Sequence, residues 1–347
     1  MPAEAPFRDT RTLCRLAALA WLAVILVATL MPRGGSTHPE RLTPVSCLVC
    51  GEAGAVDVLY NLVLFMPLGF ALRLAGVRGG RIILLCFCLT FAVESAQYWI
   101  VPGRDASLSD VLTNTTGGAV GVLLANLLPT LLAPAGSALV ILLGLSAFLP
   151  TGTLALSAWL LRSAPPHSLW YGQWAPELGQ YDRFHGRIVT ASLGGEFMPG
   201  GPLRRFPTIE PGPEKIPFTL ASTFITGAPP AELAPIVSVF DEHQQKVLLL
   251  GQRADRLEFE ARIRGEDYRF RPLRFSLPGA IPARAGDTLR AEGGFDDRVL
   301  RLAIEESGVT VSRGLDVSPA LGWVLIAPIA WPIGPRRRRT GPWIRCP

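Results

Sequence analysis

Histidine is scarce in this chain, four residues in 347, and none of the four falls among the polar residues at 57–114 that hold most of its chemistry. Nor does a serine or cysteine there stand beside a base that would activate it, which excludes histidine-driven acid–base work and triad-type acyl transfer at that place. No aspartate-rich loop dictates a calcium site; Asp241-Glu242 and Asp296-Asp297 read as solvated turns. Cysteine offers only one close pair outside an apolar run, Cys47 and Cys50 in CLVC, and with no histidine after it haem attachment is excluded. A lone CxxC is half a zinc site at most, with His38 as a candidate third ligand, and outside the cell a disulfide is the expected state. Cys14, Cys86 and Cys88 read as thiols buried in lipid, and Cys346, followed only by Pro347, makes no prenylation box. No cofactor and no metal ion is expected.

Apolar residues are plentiful: 49% of the chain, with mean hydropathy +0.33, too high for a purely soluble protein of this size. Charge divides the chain unevenly. Residues 163–316 carry 18 Lys+Arg and 20 Asp+Glu, net −2, leaving 15 and 8, net +7, for the remainder of the 33 basic and 28 acidic residues. The basic excess therefore belongs to regions flanking the apolar runs, and the basic domain face that nucleic-acid binding needs is missing.

Six runs are long enough to cross the roughly 30 Å hydrocarbon core. They are Leu13 to Met31, Val56 to Leu74, Ile82 to Ile100, Val111 to Leu132, Ala138 to Leu161 (interrupted by Pro150), and Val317 to Gly334. A cleaved signal peptide is the alternative for the first, but MPRGG offers no small-x-small site. Arg8, Arg11 and Arg15, then Arg73, Arg78 and Arg81, then Arg336 to Arg339 share one side of the membrane only if the span count is even. The expectation is a multi-pass protein of the bacterial cytoplasmic membrane with both termini cytoplasmic. It divides into a four-helix domain at 1–135, a fifth span at 136–162, an extracytoplasmic domain at 163–316, a sixth span at 317–334 and a basic tail at 335–347.

Between the last two spans the pattern turns to period-two alternation. Leu257, Phe259, Ala261 and Ile263 alternate with Glu258, Glu260, Arg262 and Arg264, the mark of a half-buried strand. About nine such strands predict an all-β antiparallel sandwich, expected at 186–192, 218–224, 235–240, 246–251, 257–263, 268–275, 287–291, 300–305 and 309–312. Its order is similar to the concanavalin-like, laminin-G-like jelly roll, a fold that often binds carbohydrate. Trp170, Tyr171, Trp174, Tyr181 and Phe184 are candidates for a sugar platform, although an interfacial belt or plain packing accounts for them better.

Polar residues at span ends are the most informative feature. Asp57 and Asn61, Glu94 and Gln97, and Asp110 and Asn114 form pairs three or four residues apart on three separate spans, and the orientation puts all six at similar depth in one leaflet. Glu94 falls roughly 10 Å below the exit of its span. An acid or base at the centre of a span costs roughly 2.5–3.5 kcal/mol on the insertion scale, so such residues have a task. Gly117, Gly118 and Gly121 permit close helix approach, Pro67 with Gly69 loosens the second span, Ser107, Ser109 and Asp110 suit a helix start, and Arg104 is placed to counter Glu94 or Asp110. Three readings stay open: structural glue between helices, a ligand pocket, or a reaction with Glu94 or Asp110 as general base.

NLVLFMPLGF (Asn61, Phe65, Pro67, Gly69), ESAQ (Glu94, Gln97), PGRDASLSDVLTN (Arg104, Ser109, Asp110, Asn114) and the glycines Gly117 and Gly121 resemble the VanZ-like family of small bacterial membrane proteins over about residues 13–132. The family takes its name from an accessory protein of glycopeptide resistance, and the resemblance implies an envelope role without a settled reaction. With it, the expectation is a pocket of Asp57, Asn61, Glu94, Gln97, Arg104, Ser109, Asp110 and Asn114 that binds a lipid headgroup or a lipid-linked or envelope glycan. The outer domain would then bind glycan or protein. A membrane enzyme acting on a lipid-linked precursor and an interaction scaffold are the alternatives.

Overall fold

The computed structural model describes residues 5–32, 46, 48–49, 53–101, 106–166, 168–175, 177–178, 181–198, 201–205, 218–296 and 298–327. Two compact units result, Met1–Gly152 and Thr153–Pro347. Arg104, Cys47, Cys50 and the tail at 335–347 lie outside the described residues.

The first unit is helical: α1 (Ala5–Leu30), α2 (Gly54–Leu74), α3 (Gly79–Trp99), α4 (Leu108–Leu132) and the first part of α5 (Ser137–Leu160). Each is long and apolar enough to cross a membrane. Their large apolar side chains point outward; Leu13, Leu19, Leu84 and Phe91 are each at least 59% exposed, while Thr90, Glu94, Gln97 and Asn114 are buried. This inversion is what lipid dictates, because an outward leucine costs nothing there and a polar group must find its partner inside. A small apolar centre of Ala18, Ile25, Phe65, Leu68, Ile82, Cys86 and Val122 joins α1 to α4. Pro150 does not end α5, which runs on to Leu160.

The second unit takes in the last turns of α5 and a β sandwich. Its strands are β1 (Trp170–Trp174), β2 (Arg187–Leu193), β3 (Glu196–Met198), β4 (Gly201–Arg205), β5 (Phe218–Ile225), β6 (Ala234–Asp241), β7 (Lys246–Arg253), β8 (Arg256–Ala261), β9 (Leu273–Leu277), β10 (Thr288–Phe295), β11 (Val299–Glu306) and β12 (Val309–Asp316). Two antiparallel six-stranded sheets have the orders β4-β1-β6-β7-β8-β9 and β12-β11-β10-β5-β2-β3. Both supply inward side chains to one core, among them Leu250 and Phe259 from the first sheet and Phe224, Ala291 and Leu302 from the second. Gly293 of β10 leaves room for Phe259 of the facing sheet, whose ring would lie 2.3 Å from a Cβ placed there.

Three expectations fail here. Strand pairing was expected through Tyr268 to Phe275, but Ile263 caps a one-turn helix, α6 (Arg264–Asp267), and β9 starts only at Leu273, after Pro272. The aromatic and short segments at β1, β3 and β4 carry no clear alternation and are strands nonetheless. A sixth span cannot start at Val317: Pro319–Leu325 is a 3-10 helix, η1, and Val317, Leu321, Val324 and Leu325 pack on the sandwich core. Their apolar character serves a protein interior. Residues 328–334 of the expected span lie outside the described residues.

Candidate functional site

The membrane site rests on an unusually close pair of helices. A Cβ on Gly117 would lie 2.3 Å from Leu62 O, one on Gly121 2.1 Å from Met66 O, and one on Gly69 2.1 Å from Gly118 O. Residue numbers rise together along this contact, so α2 and α4 run parallel, backbone on backbone, as small residues in lipid permit. Arg73 Nε donates to Asn126 Oδ1 at 2.7 Å farther along the same register. Carried the other way, that register sets Asp57 level with Asp110 and Asn61 level with Asn114. Pro67 deprives α2 of an internal donor, and just before it the Trp21 indole of α1 donates to Leu64 O at 2.7 Å.

Helix α3 closes against the pair in the opposite direction. Cys86 faces Gly118, where a Cβ would meet Sγ at 2.5 Å, and Asn114 Nδ2 donates to Thr90 Oγ1 at 2.9 Å. One turn on, Glu94 Oε2 accepts from the backbone N–H of Ser107 at 2.7 Å. Ser107 in turn caps α4, its Oγ accepting from Ser109 N at 3.1 Å. Gln97 Nε2 reaches the end of α1, donating to Thr29 O at 2.8 Å. The start of α2 and α4 and the end of α1 and α3 therefore meet at one end of the bundle, and the polar residues stand there together.

Their exposure differs. Glu94, Gln97, Ser109 and Asn114 are buried, Asn61 and Asp110 are half-buried, and Asp57 is exposed. Thr90, fully buried, and Thr29 belong to the group but were missed, since threonine is ordinary in apolar helices. The signal available was position: Thr90 lies one turn before Glu94 on the same face. Asn114 is 2% exposed, and its Oδ1 has no hydrogen-bond partner among the described residues. Exchanging the amide ends would only move the vacancy to Nδ2, so one end of this side chain is unmatched either way. Among the described residues no three His, Cys, Asp or Glu side chains are grouped to hold a metal ion.

The family model described as VanZ/LLP1 matches residues 15–129. Over these residues the chain is similar to the VanZ-like family. The match spans most of α1, all of α2 and α3, and most of α4, so the VanZ-like region contains the whole polar end, and the sandwich lies outside it. No curated protein and no solved structure matches the chain.

Beyond the VanZ-like region, the sandwich has a buried ionic cluster that alternation did not reveal. Glu258 and Glu260, expected on the wet side of a half-buried strand, are 4% and 0% exposed. Glu260 pairs with Lys246 of β7 and Arg274 of β9, and Glu258 approaches Arg253 at 3.7 Å and Arg274 at 3.5 Å. Burial favours the neutral acid, but the two cations outweigh it and hold the Glu260 carboxyl below the usual carboxylate range. Burial wins at Glu258, which is pushed up. It also wins at Glu266, pushed up to about 7 although Oε1 accepts from Ile263 N at 3.1 Å.

The candidate aromatics are mostly occupied by packing. Trp170 and Phe184 are buried in the core, and Trp174 packs against it; the Trp170 indole donates to Pro166 O and the Trp174 indole to Met198 O, each at 3.1 Å. Asp241 is no solvated turn: it is 4% exposed and accepts from His243 N and Gln245 N.

Proposed function

We propose that the polar end of the VanZ-like bundle binds the headgroup of an envelope lipid or lipid-linked glycan precursor in the outer leaflet. The observation that carries this reading is the unmatched amide end of Asn114, buried amid Thr90, Glu94 and the start of α4. An orphaned polar group in a dry interior costs about 1–3 kcal/mol, and a guest's hydroxyl, ammonium or carbonyl would satisfy it. Glu94, Asp110, Asp57 and Asn61 would take the guest's remaining donors, and Arg104 its negative charge.

In this reading the N-terminus is cytoplasmic, the membrane is the bacterial inner membrane, and the sandwich, concanavalin-like in build, faces outward to hold glycan or a protein partner. The arginines at 8, 11 and 15 and at 73, 78 and 81 support that orientation. Mass spectrometry of lipids and glycans retained by gently solubilised protein tests it: wild type should carry a defined species that Asn114→Leu and Glu94→Gln lose while remaining folded.

A second reading has its own support. The bonds from Glu94 to Ser107, Gln97 to Thr29 and Asn114 to Thr90 each tie one helix to another. A cluster serving only as glue would retain no lipid selectively, and the same substitutions would lower thermal stability without altering what copurifies.

A further inference from the structure

Helix α5 does not hand over to a linker. Leu160 and Leu161 are buried in the sandwich core beside Ile263 and Leu325, and the backbone continues the union. Arg264 N donates to Arg162 O at 2.9 Å, Ala164 N to Arg262 O at 3.3 Å, and Arg271 N to Leu325 O at 3.1 Å. Ser163 and Ile263 form an antiparallel bridge. A Cβ on Gly265 would lie 3.5 Å from Leu160 O, and one on Gly322 of η1 2.1 Å from Ser157 Oγ. Segments 262–271 and 319–326 are thus fixed around the last turns of a helix whose 24 residues span about 36 Å, enough to cross the hydrocarbon core.

What those segments present at the helix end is cationic and aromatic. Tyr268, 51% exposed, stands 5.3 Å from the Trp159 ring, and the Arg264 guanidinium lies 5.0 Å over that ring. Trp and Tyr at the end of a span mark headgroup depth. Arg162 and Arg269 are exposed, Arg264 and Arg271 half-exposed. Arg262 is paired with Asp267 at 2.7 Å, but none of Arg162, Arg264, Arg269 and Arg271 makes an ion pair among the described residues. Glu266, the other local acid, is turned to Ile263 N.

We propose that Arg162, Arg264, Arg269 and Arg271 form a collar around the end of α5 that binds the phosphates of anionic membrane lipids. A guanidinium matches a phosphate with two parallel donors, and these four, without a carboxylate partner among the described residues, stand at the end of a span where bilayer phosphates can meet them; Arg271 Nε also donates to Ile326 O at 3.3 Å. The collar seats the sandwich on the membrane surface, since each arginine belongs to the folded domain and the helix end is part of the domain's core. This inference does not depend on the polar end of the VanZ-like region.

The test uses the full chain in nanodiscs of phosphatidylcholine alone or mixed with phosphatidylglycerol, with native mass spectrometry counting lipids kept after release. Wild type is expected to keep phosphatidylglycerol several-fold over phosphatidylcholine. Arg264→Gln/Arg269→Gln/Arg271→Gln should abolish the preference, and the matching lysine triple should restore part of it. If the glutamine triple fails to fold by circular dichroism, Arg269→Gln alone must lower the preference. Equal retention of both lipids by wild type, or an unchanged preference in a folded glutamine variant, overturns the proposal. Inorganic phosphate displacing phosphatidylglycerol as well as glycerophosphoglycerol does would also overturn it, by making the collar a site for any small anion.

Discussion

The two units bury polar side chains under opposite rules. In the helical unit the buried polar groups are held by backbone atoms and by one another: Glu94 by Ser107 N, Gln97 by Thr29 O, Asn114 by Thr90. In the sandwich, Glu260 is buried by full countercharges, Lys246 and Arg274. The difference follows from how each unit is bounded. Lipid supplies no solvent for a charge that slips its partner, so buried polar groups at the membrane end are each tied to a group on another segment; the sandwich tolerates an ion cluster whose outer members reach its surface.

Removing one partner in the sandwich should have the largest effect. Glu260→Gln leaves Lys246 without its paired carboxylate and Arg274 with Glu258 alone, and is expected to cost about 3–5 kcal/mol, read by chemical denaturation; Lys246→Met with Glu260→Leu should recover much of it. A loss under about 1 kcal/mol would mean the cluster is wetter than its burial implies. In the bundle the counterpart is steric. Gly121→Ala sets a methyl 2.1 Å from Met66 O and is expected to cost about 1–3 kcal/mol or to prevent folding, measured by thermal unfolding in detergent, whereas Ala at Gly144, with open space around it, should cost little.

A pH series sharpens the contrast further. Glu266 has a folded pKa raised by burial to about 7, so its neutral form stabilises the sandwich fully below the ordinary carboxylate range. That contribution is lost as pH rises through about 7. Glu266→Gln should flatten this part of the stability profile, and an identical slope in the variant would refute the assignment. Thr90→Val should have the smallest effect, about 0.6 kcal/mol, the average for an interhelical hydrogen bond in a membrane bundle.

Much of this was legible in the residues. Five spans announced themselves by length and apolarity, with small shifts such as α4 starting at Leu108 because Ser107 caps it. The polar end was legible because charge in a span is costly and its spacing repeats on three helices. Hydropathy failed at Val317, where Leu321 and Val324 face a protein core that a run of apolar letters cannot distinguish from lipid. Alternation failed at Glu258 and Glu260, because their countercharges come from neighbouring strands: Arg253 and Arg274 for Glu258, and Lys246 and Arg274, each 14 residues away, for Glu260. Only register brings those together, and register is not written in one strand. The unmatched end of Asn114 was likewise invisible, being a property of what surrounds the residue.

The glycine contact between α2 and α4 has a mechanical consequence. Backbones that touch at Leu62 and Gly117 and again at Met66 and Gly121 have no side-chain rotamers between them to yield, so the pair behaves as one beam. Helix α3 is held through movable groups, Cys86, Thr90 and Glu94. Under the proposed binding reading, any widening for a guest would fall to α3, because its contacts are the ones made by side chains that can yield.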